Sequence, residues 1–355
     1  MLKPGYSVTA TAPGTIANVA AGLNIFGFSL EQPFDSVTLR LCAGKGLSLA
    51  TVSGEDTGVF HNAVDNPVLR ALGVMAVSLA EAHTGTHIKP ASFFSAGGCC
   101  PVMLSPRELG RGALAVLSGS FLLEVDLAIG VPGITGAGTG PSLVPAALMA
   151  FNRLTGSTCS TRELLLLALE VERSVLGLTH PDITAPALYG AFCLIRNYSP
   201  LEILALDVPE DLYCALVSPD LAVSAEALQA ALPESVPLQL AISQAGNAAA
   251  LVAGLLQSNW GTISASCRDY LAEPFRAPLI TGFADVKLAA MDEGALGVGI
   301  SGAGPGVFAF ARGRGNAEKI GGVMVAAFLK NGVRSRTYVS KVAGGKPQIL
   351  EEKPS

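Results

Sequence analysis

The spacing of apolar residues changes several times along the first half of the chain. Alternation of apolar and polar residues predicts strands in YSVTATA, DSVTLRLC and LSLATVS, with glycine-rich turns between them. Helical spacing follows in NPVLRALGVMAVSLAEAHTG, which ends at a glycine, whereas ALAVLSGSFLLEVDLAI is typical of strand and turn. Two further helices are predicted over about 141–154 and 161–176, the second with a capped start at Thr161 and Glu163.

The second half also mixes strand-like and helix-like segments. Strands are predicted in ALYGAFCLIRN, DLYCALVSP and RSRTYVS, and a strand, a tight turn and a strand in ALGVGISGAGPGVFAFAR. Helices are predicted in SAEALQAALP, LQLAISQAGNAAALVAGLLQ, TISASCRDYLAE and NAEKIGGVMVAAFLKNG, and the polar tail GGKPQILEEKPS is expected to be loose. Because strands and helices alternate without a regular period, the pattern favours an α+β fold over a doubly wound sheet.

Length and composition indicate a soluble protein of two domains. At roughly 150 residues per domain, 355 residues predict two domains, which we place at 1–185 and 186–355. Half of the residues are hydrophobic, the net charge is −5, and no basic stretch indicates a nucleic-acid partner. The N-terminus has no apolar leader and the apolar runs are short or interrupted by charges, so we expect a cytoplasmic protein without a membrane partner.

The cysteines and histidines do not form a recognisable metal or disulfide pattern. The chain has seven cysteines without a C-x-x-C pair and four histidines without an H-x-x-x-H array. The adjacent Cys99 and Cys100 leave two interpretations open, a redox pair or buried reduced thiols, and the second is more typical of apolar surroundings.

A glycine-rich stretch from Gly133 to Leu148, GITGAGTGPSLVPAAL, leads into a predicted helix. It lacks the G-x-x-x-x-G-K-[ST] pattern of a Walker loop. Its glycines allow a tight turn and a close approach to an anion, and the helix after it would direct free N–H groups to the same place. The stretch alone is typical of either a phosphate loop or an ordinary turn before a helix.

Five segments together carry a resemblance to a known family. They are APGTIANVAAGLNIFGFSL, GAGTGPSLVPAALMAFN, EVERSVLGLTHPDITAPALYGAF, LAEPFRAPLITGF and GISGAGPGVF. In order and spacing they resemble the motifs of the GHMP kinases, and within that superfamily the homoserine kinases, over about residues 6–340. The resemblance implies an N-terminal domain like domain 2 of ribosomal protein S5 and a ferredoxin-like C-terminal domain. It also implies ATP, Mg²⁺, a small hydroxy amino acid as substrate, a role in threonine biosynthesis and a homodimer, which is common among relatives.

The resemblance further implies roles for individual residues, with phosphoryl transfer depending on positioning and charge stabilisation. Nucleotide binding falls on Gly136, Ala137, Gly138, Thr139 and Gly140 in the middle motif and on Ser301, Gly302 and Gly304 in the last. Mg²⁺ binding falls on Thr139 and Glu172. Substrate binding falls on Asn18, Asn24, His180, Asp182, Ile183 and Arg276, and the catalytic set is Asn18, Thr139 and Arg276.

Several positions depart from the family pattern. Ile129 stands where the family often has lysine, Gly140 where it has a second serine, Asn24 where it has aspartate and Ile183 where it has asparagine. Pro141, which replaces an alanine, removes one N–H donor near the phosphates. Each lost contact would cost on the order of 1–3 kcal/mol. Three hypotheses therefore remain: a homoserine-kinase-like phosphotransferase, a homologue with ATP-independent lyase or isomerase chemistry on a small carboxylate, and a non-catalytic binding protein.

Overall fold

Two β-sheets organise the chain. The computed structural model describes residues 3–55, 57–61, 66–84, 121–131 and 142–353. The first sheet has seven strands, in the order β11–β1–β2–β4–β3, with β5 paired to β2 and β6 paired to β5. These strands are β1 (Ser7–Ala17), β2 (Phe26–Cys42), β3 (Gly46–Gly54), β4 (Leu122–Ile129), β5 (Phe192–Tyr198), β6 (Leu201–Leu206) and β11 (Gln348–Lys353).

The second sheet has four antiparallel strands, in the order β10–β7–β9–β8. They are β7 (Leu212–Pro219), β8 (Gly297–Ile300), β9 (Val307–Arg312) and β10 (Ser335–Lys341). The helices of the described chain are α1 (Pro67–Thr84), α2 (Leu143–Thr155), α3 (Thr161–Leu176), α4 (Pro181–Tyr189), α5 (Ala225–Ala230), α6 (Leu238–Leu256), α7 (Trp260–Ser266), α8 (Glu273–Arg276), α9 (Phe283–Asp292) and α10 (Arg314–Lys330). This combination confirms the α+β prediction.

Strands β1 and β2 are longer than their alternating sequences predict, because each continues beyond a proline. Their antiparallel pairing shifts register between Pro13 and Thr15, opposite the part of β2 that contains Pro33. Proline cannot donate a ladder hydrogen bond, so a register shift at this point is expected. Beyond it, β1 runs on to Ala17, and this extension carries the chain to the candidate site.

An aromatic core joins the two sheets. Phe28 of β2 packs against Phe192 of β5 at 5.8 Å and against Phe310 of β9 at 5.6 Å between ring centroids. All three rings are buried, and Phe308 lies 5.2 Å from Phe310. Ring pairs at these separations add to the stabilisation from burial. The apolar contact between the sheets is therefore continuous from β5 to β9.

The C-terminal tail corrects one expectation. The tail was expected to be loose, but Gln348–Lys353 forms β11 and pairs with β1 from Ser7 to Thr11. Glu352 accepts a hydrogen bond from the Tyr6 hydroxyl and forms an ion pair with Arg153 at 2.8 Å. Partners more than 190 residues away in sequence thus order a polar segment that has no apolar pattern of its own.

Several other element boundaries differ from the sequence predictions. The predicted helix TISASCRDYLAE ends at Ser266, and the predicted strand ALYGAFCLIRN begins as the end of α4. Strand β6 and helix α9 were not predicted. The capped start of α3 is confirmed, but the capping residue is Ser160, whose hydroxyl accepts the N–H of Glu163. The domain boundary near 185 stays a prediction, since the seven-stranded sheet takes strands from both sides of it.

Helix α6 agrees with the helix predicted in LQLAISQAGNAAALVAGLLQ. By length and composition this 19-residue helix could cross a membrane. Its most apolar 18 residues have a mean hydropathy of 1.3, and 22% of them are buried. Within the described structure α6 packs on α7 and also contacts β6. Among the described cysteines, Cys193, Cys214 and Cys267 are buried free thiols, whereas Cys99 and Cys100 lie outside the described residues.

A glycine of β2 allows α4 to approach the sheet closely, and this gives a test of the packing. A Cβ on Gly27 would lie 1.7 Å from the carbonyl oxygen of Asp182. Gly27→Ala is therefore expected to lower the free energy of unfolding by about 3 kcal/mol, because backbone must move to admit the methyl group. Urea unfolding followed by circular dichroism measures the change.

Gly322→Ala is the matched control. A Cβ there meets no atom within 4 Å, and Gly322 lies inside α10. This variant is expected to gain roughly 0.5–1 kcal/mol from helix propensity. Equal stability changes in the two variants would contradict the close contact between β2 and α4.

Candidate active site

The glycine-rich loop is described at its two ends. Residues 132–141 lie outside the described structure, and with them the predicted site residues Gly136, Ala137, Gly138, Thr139 and Gly140. The chain enters the loop from Ile129, at the end of β4, and leaves it at Ser142, before α2.

Asp35 of β2 binds both ends of this loop. Its Oδ1 accepts the N–H groups of Gly130 and Val131, each at 2.9 Å, and its Oδ2 accepts the hydroxyl of Ser142. Asp35 is 1% exposed. Burial raises its pKa, and the hydrogen bonds from Ser142, Val131 and Gly130 act in the opposite direction. Asp35 therefore fixes the two points between which the loop must run.

Sequence reasoning missed Asp35, although the strand pattern contains a signal for it. Asp35 is in phase with Val37 and Leu39, both of which face the core of the sheet. A carboxylate on the buried face of a strand needs buried donors, because an unpaired buried charge is costly. The phase predicts that such donors exist, but it does not predict that they belong to the loop ends.

The turn between β8 and β9 lies against the end of β1. The N–H of Gly302 donates to the carbonyl of Ala17 at 2.9 Å, and the N–H of Gly304 donates to Ser301 at 2.8 Å. Gly302 and Gly304 have φ angles of 57° and 101°, which favour glycine. The predicted tight turn in SGAGPG is confirmed, and the turn places its backbone next to the residue that precedes Asn18.

Asn18 and Asn24 lie together in the loop after β1. The N–H of Asn24 donates to Oδ1 of Asn18 at 2.6 Å, and the hydroxyl of Tyr198 donates to the Asn24 carbonyl at 2.5 Å. Asn18, Ala20 and Asn24 all have φ between 50° and 58°, and asparagine is among the residues that tolerate this region best. The structure thus brings together two residues that the family resemblance assigns to substrate binding.

Glu172 contacts the first turn of α4. Its Oε2 accepts the N–H of His180 at 2.7 Å, and its Oε1 accepts the hydroxyl of Thr184. Burial raises the pKa of Glu172 to about 7, the two hydrogen bonds oppose this rise, and the charge of Asp182 adds to it. Burial lowers the pKa of His180. Both oxygens of Glu172 therefore already hold the start of α4, and a metal ion would have to share them.

Asp182 is the most deeply buried acid of this group. The residue is 2% exposed, and its Oδ1 has no hydrogen-bond partner within the described part of the chain. Burial raises the pKa of Asp182 to about 7, although backbone N–H groups, including that of Asn18, favour the ionised form. Burial raises the pKa of Tyr198, and the charge of Asp182 raises it further. The carboxyl group thus joins α4 to the Asn18–Asn24 loop.

Ile183 is 5% exposed and follows Asp182 in the first turn of α4. Its N–H donates to the His180 carbonyl at 3.0 Å. An apolar side chain therefore occupies the position at which the family pattern has an amide.

Arg276 at the end of α8 is 2% exposed and is bonded to the protein itself. Nε donates to the Leu228 carbonyl, Nη1 to the Gly302 carbonyl and Nη2 to Oε1 of Gln229, each at 3.1 Å. Burial lowers the pKa of this guanidinium, and Asp269 acts in the opposite direction. Three of the five N–H groups thus connect α5, α8 and the glycine turn.

Among the described residues, no group of three or more His, Cys, Asp or Glu side chains could hold a metal ion. Glu172 is the predicted metal residue that the structure describes, since Thr139 lies in the loop outside it. Mg²⁺ usually binds through one or two carboxylates, several waters and the substrate phosphates. One carboxylate fits that requirement only in combination with a bound nucleotide.

Comparisons with known proteins cover nearly the whole chain. A family model described as "GHMP kinases C terminal" matches residues 245–331. Homoserine kinase of Chlorobium phaeobacteroides (strain DSM 266) is 35% identical over 97% of this chain and 99% of its own. Homoserine kinase of Arabidopsis thaliana is 34% identical over 95% of this chain and 82% of its own.

A solved structure matches equally well. The crystal structure of homoserine kinase from Cytophaga hutchinsonii has 32% sequence identity and a TM-score of 0.83, covering 99% of this chain and 98% of that one. The predicted two-domain GHMP kinase fold is thereby confirmed. The five motif segments, the family match and the full-length similarity agree, and the chain belongs to the homoserine kinase family of the GHMP kinases.

Proposed function

We propose that the protein transfers the γ-phosphoryl group of ATP to the side-chain hydroxyl of homoserine or a related small hydroxy amino acid. The observation that carries this proposal is the 35% identity to a homoserine kinase over nearly the full length of both chains. The geometry supports it, because the Asn18–Asn24 loop, the start of α4 and the glycine turn meet at the end of β1.

The nucleotide would lie against the glycine-rich loop and the N-terminus of α2. Asp35 binds the described ends of the loop, at Gly130 and Val131 on one side and at Ser142 on the other. Free N–H groups at a helix start and in a glycine-rich loop bind phosphate oxygens. In this arrangement Gly136 to Gly140 and the turn from Ser301 to Gly304 would surround the phosphates.

Glu172 and Thr139 would hold Mg²⁺ together with the phosphates. When bound, the ion would neutralise charge on the transferring phosphoryl group. On the substrate side, Asn18 and Asn24 offer amide groups, and Asn24 can accept a hydrogen bond from an ammonium group without the added charge of a carboxylate. Asp182, when ionised, would supply negative charge beside Asn18. Homodimerisation and a cytoplasmic location stay predictions.

A second candidate function is ATP-independent chemistry on a small carboxylate substrate. The observation that favours it is Ile183, a buried apolar side chain in the first turn of α4, next to Asp182 in sequence and between His180 and Thr184, which bind Glu172. Ile183, Gly140 and Asn24 each replace a more polar residue of the family pattern near the proposed substrate and phosphate sites. The fold is kept, and a fold alone does not determine the reaction.

One assay separates the two candidates. The protein is incubated with Mg-ATP and homoserine, and ADP and phosphohomoserine are measured together, with ATP binding followed by calorimetry. The kinase proposal expects both products in equal amounts. ATP binding that is absent, together with no product above background, would overturn it. Turnover of an organic acid without ATP would support the second candidate.

Restoring the family's second hydroxyl in the loop tests the metal assignment. Gly140→Ser is expected to raise kcat about tenfold, because the added oxygen supplies a contact near the ion worth on the order of 1–3 kcal/mol. Steady-state rates over a series of Mg²⁺ concentrations measure the change. A variant with unchanged kcat and unchanged Mg²⁺ dependence would show that the ion is bound elsewhere.

A further inference from the structure

A buried glutamine on α6 joins three segments of the chain. Gln244 is 5% exposed. Its Nε2 donates to the Ala21 carbonyl at 3.0 Å and to Oδ1 of Asp269 at 3.1 Å, and its Oε1 accepts the N–H of Tyr270 at 2.8 Å. Both amide hydrogens and the amide oxygen are used, so the partners fix the orientation of this group.

Asp269 extends the connection to α8. Its Oδ1 also accepts the N–H groups of Leu271 and Ala272, and its Oδ2 accepts that of Glu273 at 3.0 Å. A carboxylate that accepts several backbone N–H groups before a helix is strongly held in place. Helix α8 then carries the chain from Glu273 to Arg276.

Arg276 closes the connection into a ring. Its Nη1 donates to the carbonyl of Gly302, and the N–H of Gly302 donates to the carbonyl of Ala17. Ala17 is the last residue of β1 and directly precedes Asn18, so the ring begins at the end of β1 and ends in the loop that follows, at Ala21. We call this ring, formed by Ala17, Ala21, Gln244, Asp269, α8 and Gly302, the Gln244 circuit.

The loop that the circuit holds has an unfavourable backbone. Asn18, Ala20 and Asn24 are non-glycine residues with positive φ within seven positions. Such conformations persist where surrounding contacts over-determine them, and they cluster at ligand sites. The circuit binds the backbone carbonyls of Ala17 and Ala21. These two positions flank Asn18 and Ala20, two of the residues with positive φ.

We propose that Gln244 is a positioning residue for the amino-acid substrate: through Ala21 it holds the Asn18–Asn24 loop in its binding geometry. The inference rests on the proposed function in that it takes homoserine as the substrate. Gln244 contacts the loop directly through the backbone of Ala21, whereas Gly302 of the glycine turn is connected to it only through Asp269, α8 and Arg276. Its loss should therefore weaken binding of the amino acid and spare ATP.

Gln244→Met keeps the length of the side chain and removes all three hydrogen bonds. It is expected to raise the KM for homoserine about tenfold, as for the loss of one ordering hydrogen bond, and to leave kcat and the KM for ATP within about threefold. Gln239→Met is the matched control, since Gln239 lies on the same helix and is exposed. It should change none of these values.

Hydrogen–deuterium exchange of peptides covering residues 17–26 gives a readout that does not need activity. Faster exchange of this segment in Gln244→Met, with Gln239→Met like the wild type, is the expected result. A lower melting temperature with unchanged homoserine KM and unchanged exchange would overturn the proposal and leave Gln244 a stabilising residue only. If the wild type does not phosphorylate homoserine, the proposed function fails, and the exchange experiment alone decides the role of Gln244.

A second variant covers the case in which Gln244→Met does not fold. Asp269→Asn keeps the shape of the next member of the circuit and weakens its charge-assisted bonds to Gln244 and to the start of α8. It is expected to change homoserine KM and the exchange of residues 17–26 in the same direction, by about threefold for KM. A folded Asp269→Asn protein with wild-type KM and wild-type exchange would also overturn the proposal.

Discussion

Replacing Arg276 with methionine is expected to lower the free energy of unfolding by about 3–5 kcal/mol. Arg276 is 2% exposed, and its guanidinium donates to the carbonyls of Leu228 and Gly302 and to Oε1 of Gln229. Methionine fills much of the volume but donates nothing, so two buried carbonyls lose a partner in a place from which water is excluded.

Urea unfolding of Arg276→Met beside Arg268→Met measures this effect. Arg268 is exposed and precedes the same segment, so its loss should change stability by less than about 0.5 kcal/mol. Similar losses in the two variants would contradict the role of Arg276 in holding the glycine turn to α5.

Arg276→Lys then tests the predicted role of this residue in binding a substrate carboxylate. Lysine keeps the charge but not the planar fork that serves two carbonyls at once. If Arg276 also binds substrate, the KM for homoserine should rise in a folded Arg276→Lys protein, beyond what the loss of unfolding free energy explains. If KM stays at the wild-type value in a folded Arg276→Lys protein, the residue is structural and the carboxylate has another partner.

The sequence was informative where function depends on local patterns. The turn from Ser301 to Gly304 could be predicted because glycine at positive φ and a tight strand–turn–strand pattern are local features. Asn18 and Asn24 were assigned through the motif that contains them, and their hydrogen bond spans only six residues.

Contacts between distant segments could not be predicted in the same way. Asp35 and Ser142 are separated by 107 residues, and Gln244 and Ala21 by 223. Strand β11 depends on pairing with β1, at the other end of the chain. In each case a polar residue or segment has no signal of its own, because its partner is chosen by the tertiary fold. The phase of Asp35 in β2 is the exception, since it predicts burial without naming the partner.

The pH dependence of stability is expected to depend strongly on Asp182. Burial raises its pKa from the usual 3.8 to about 7. The folded protein therefore binds this proton more tightly than the unfolded chain does. The contribution of the Asp182 proton to the free energy of unfolding is fully present below about pH 4 and is lost as pH rises toward 7. The loss is on the order of 4 kcal/mol, at about 1.4 kcal/mol per pKa unit.

Asp182→Asn removes the ionisation while keeping the shape. The variant is expected to be more stable than the wild type at pH 8 by a large part of that amount, and to approach it at pH 5. Its stability should still fall somewhat between pH 5 and 8, because burial also raises the pKa of Glu172 to about 7. The variant should lose most of its kinase activity, since the Asp182 carboxyl accepts the backbone N–H of Asn18 in the proposed substrate site and the asparagine could not ionise there.

Thermal unfolding at several pH values gives the slope of stability against pH for the wild type, for Asp182→Asn and for the control Glu170→Gln. Glu170 is exposed on the same helix as Glu172 and pairs with Arg173 at 3.0 Å, so its neutralisation should leave the slope unchanged. A wild type and an Asp182→Asn variant with the same slope from pH 5 to 8 would show that Asp182 is ionised in the folded protein at pH 5. A steeper slope in the wild type, combined with lost activity in the variant, would mean that the protein retains at its substrate site a buried charge that lowers its own stability.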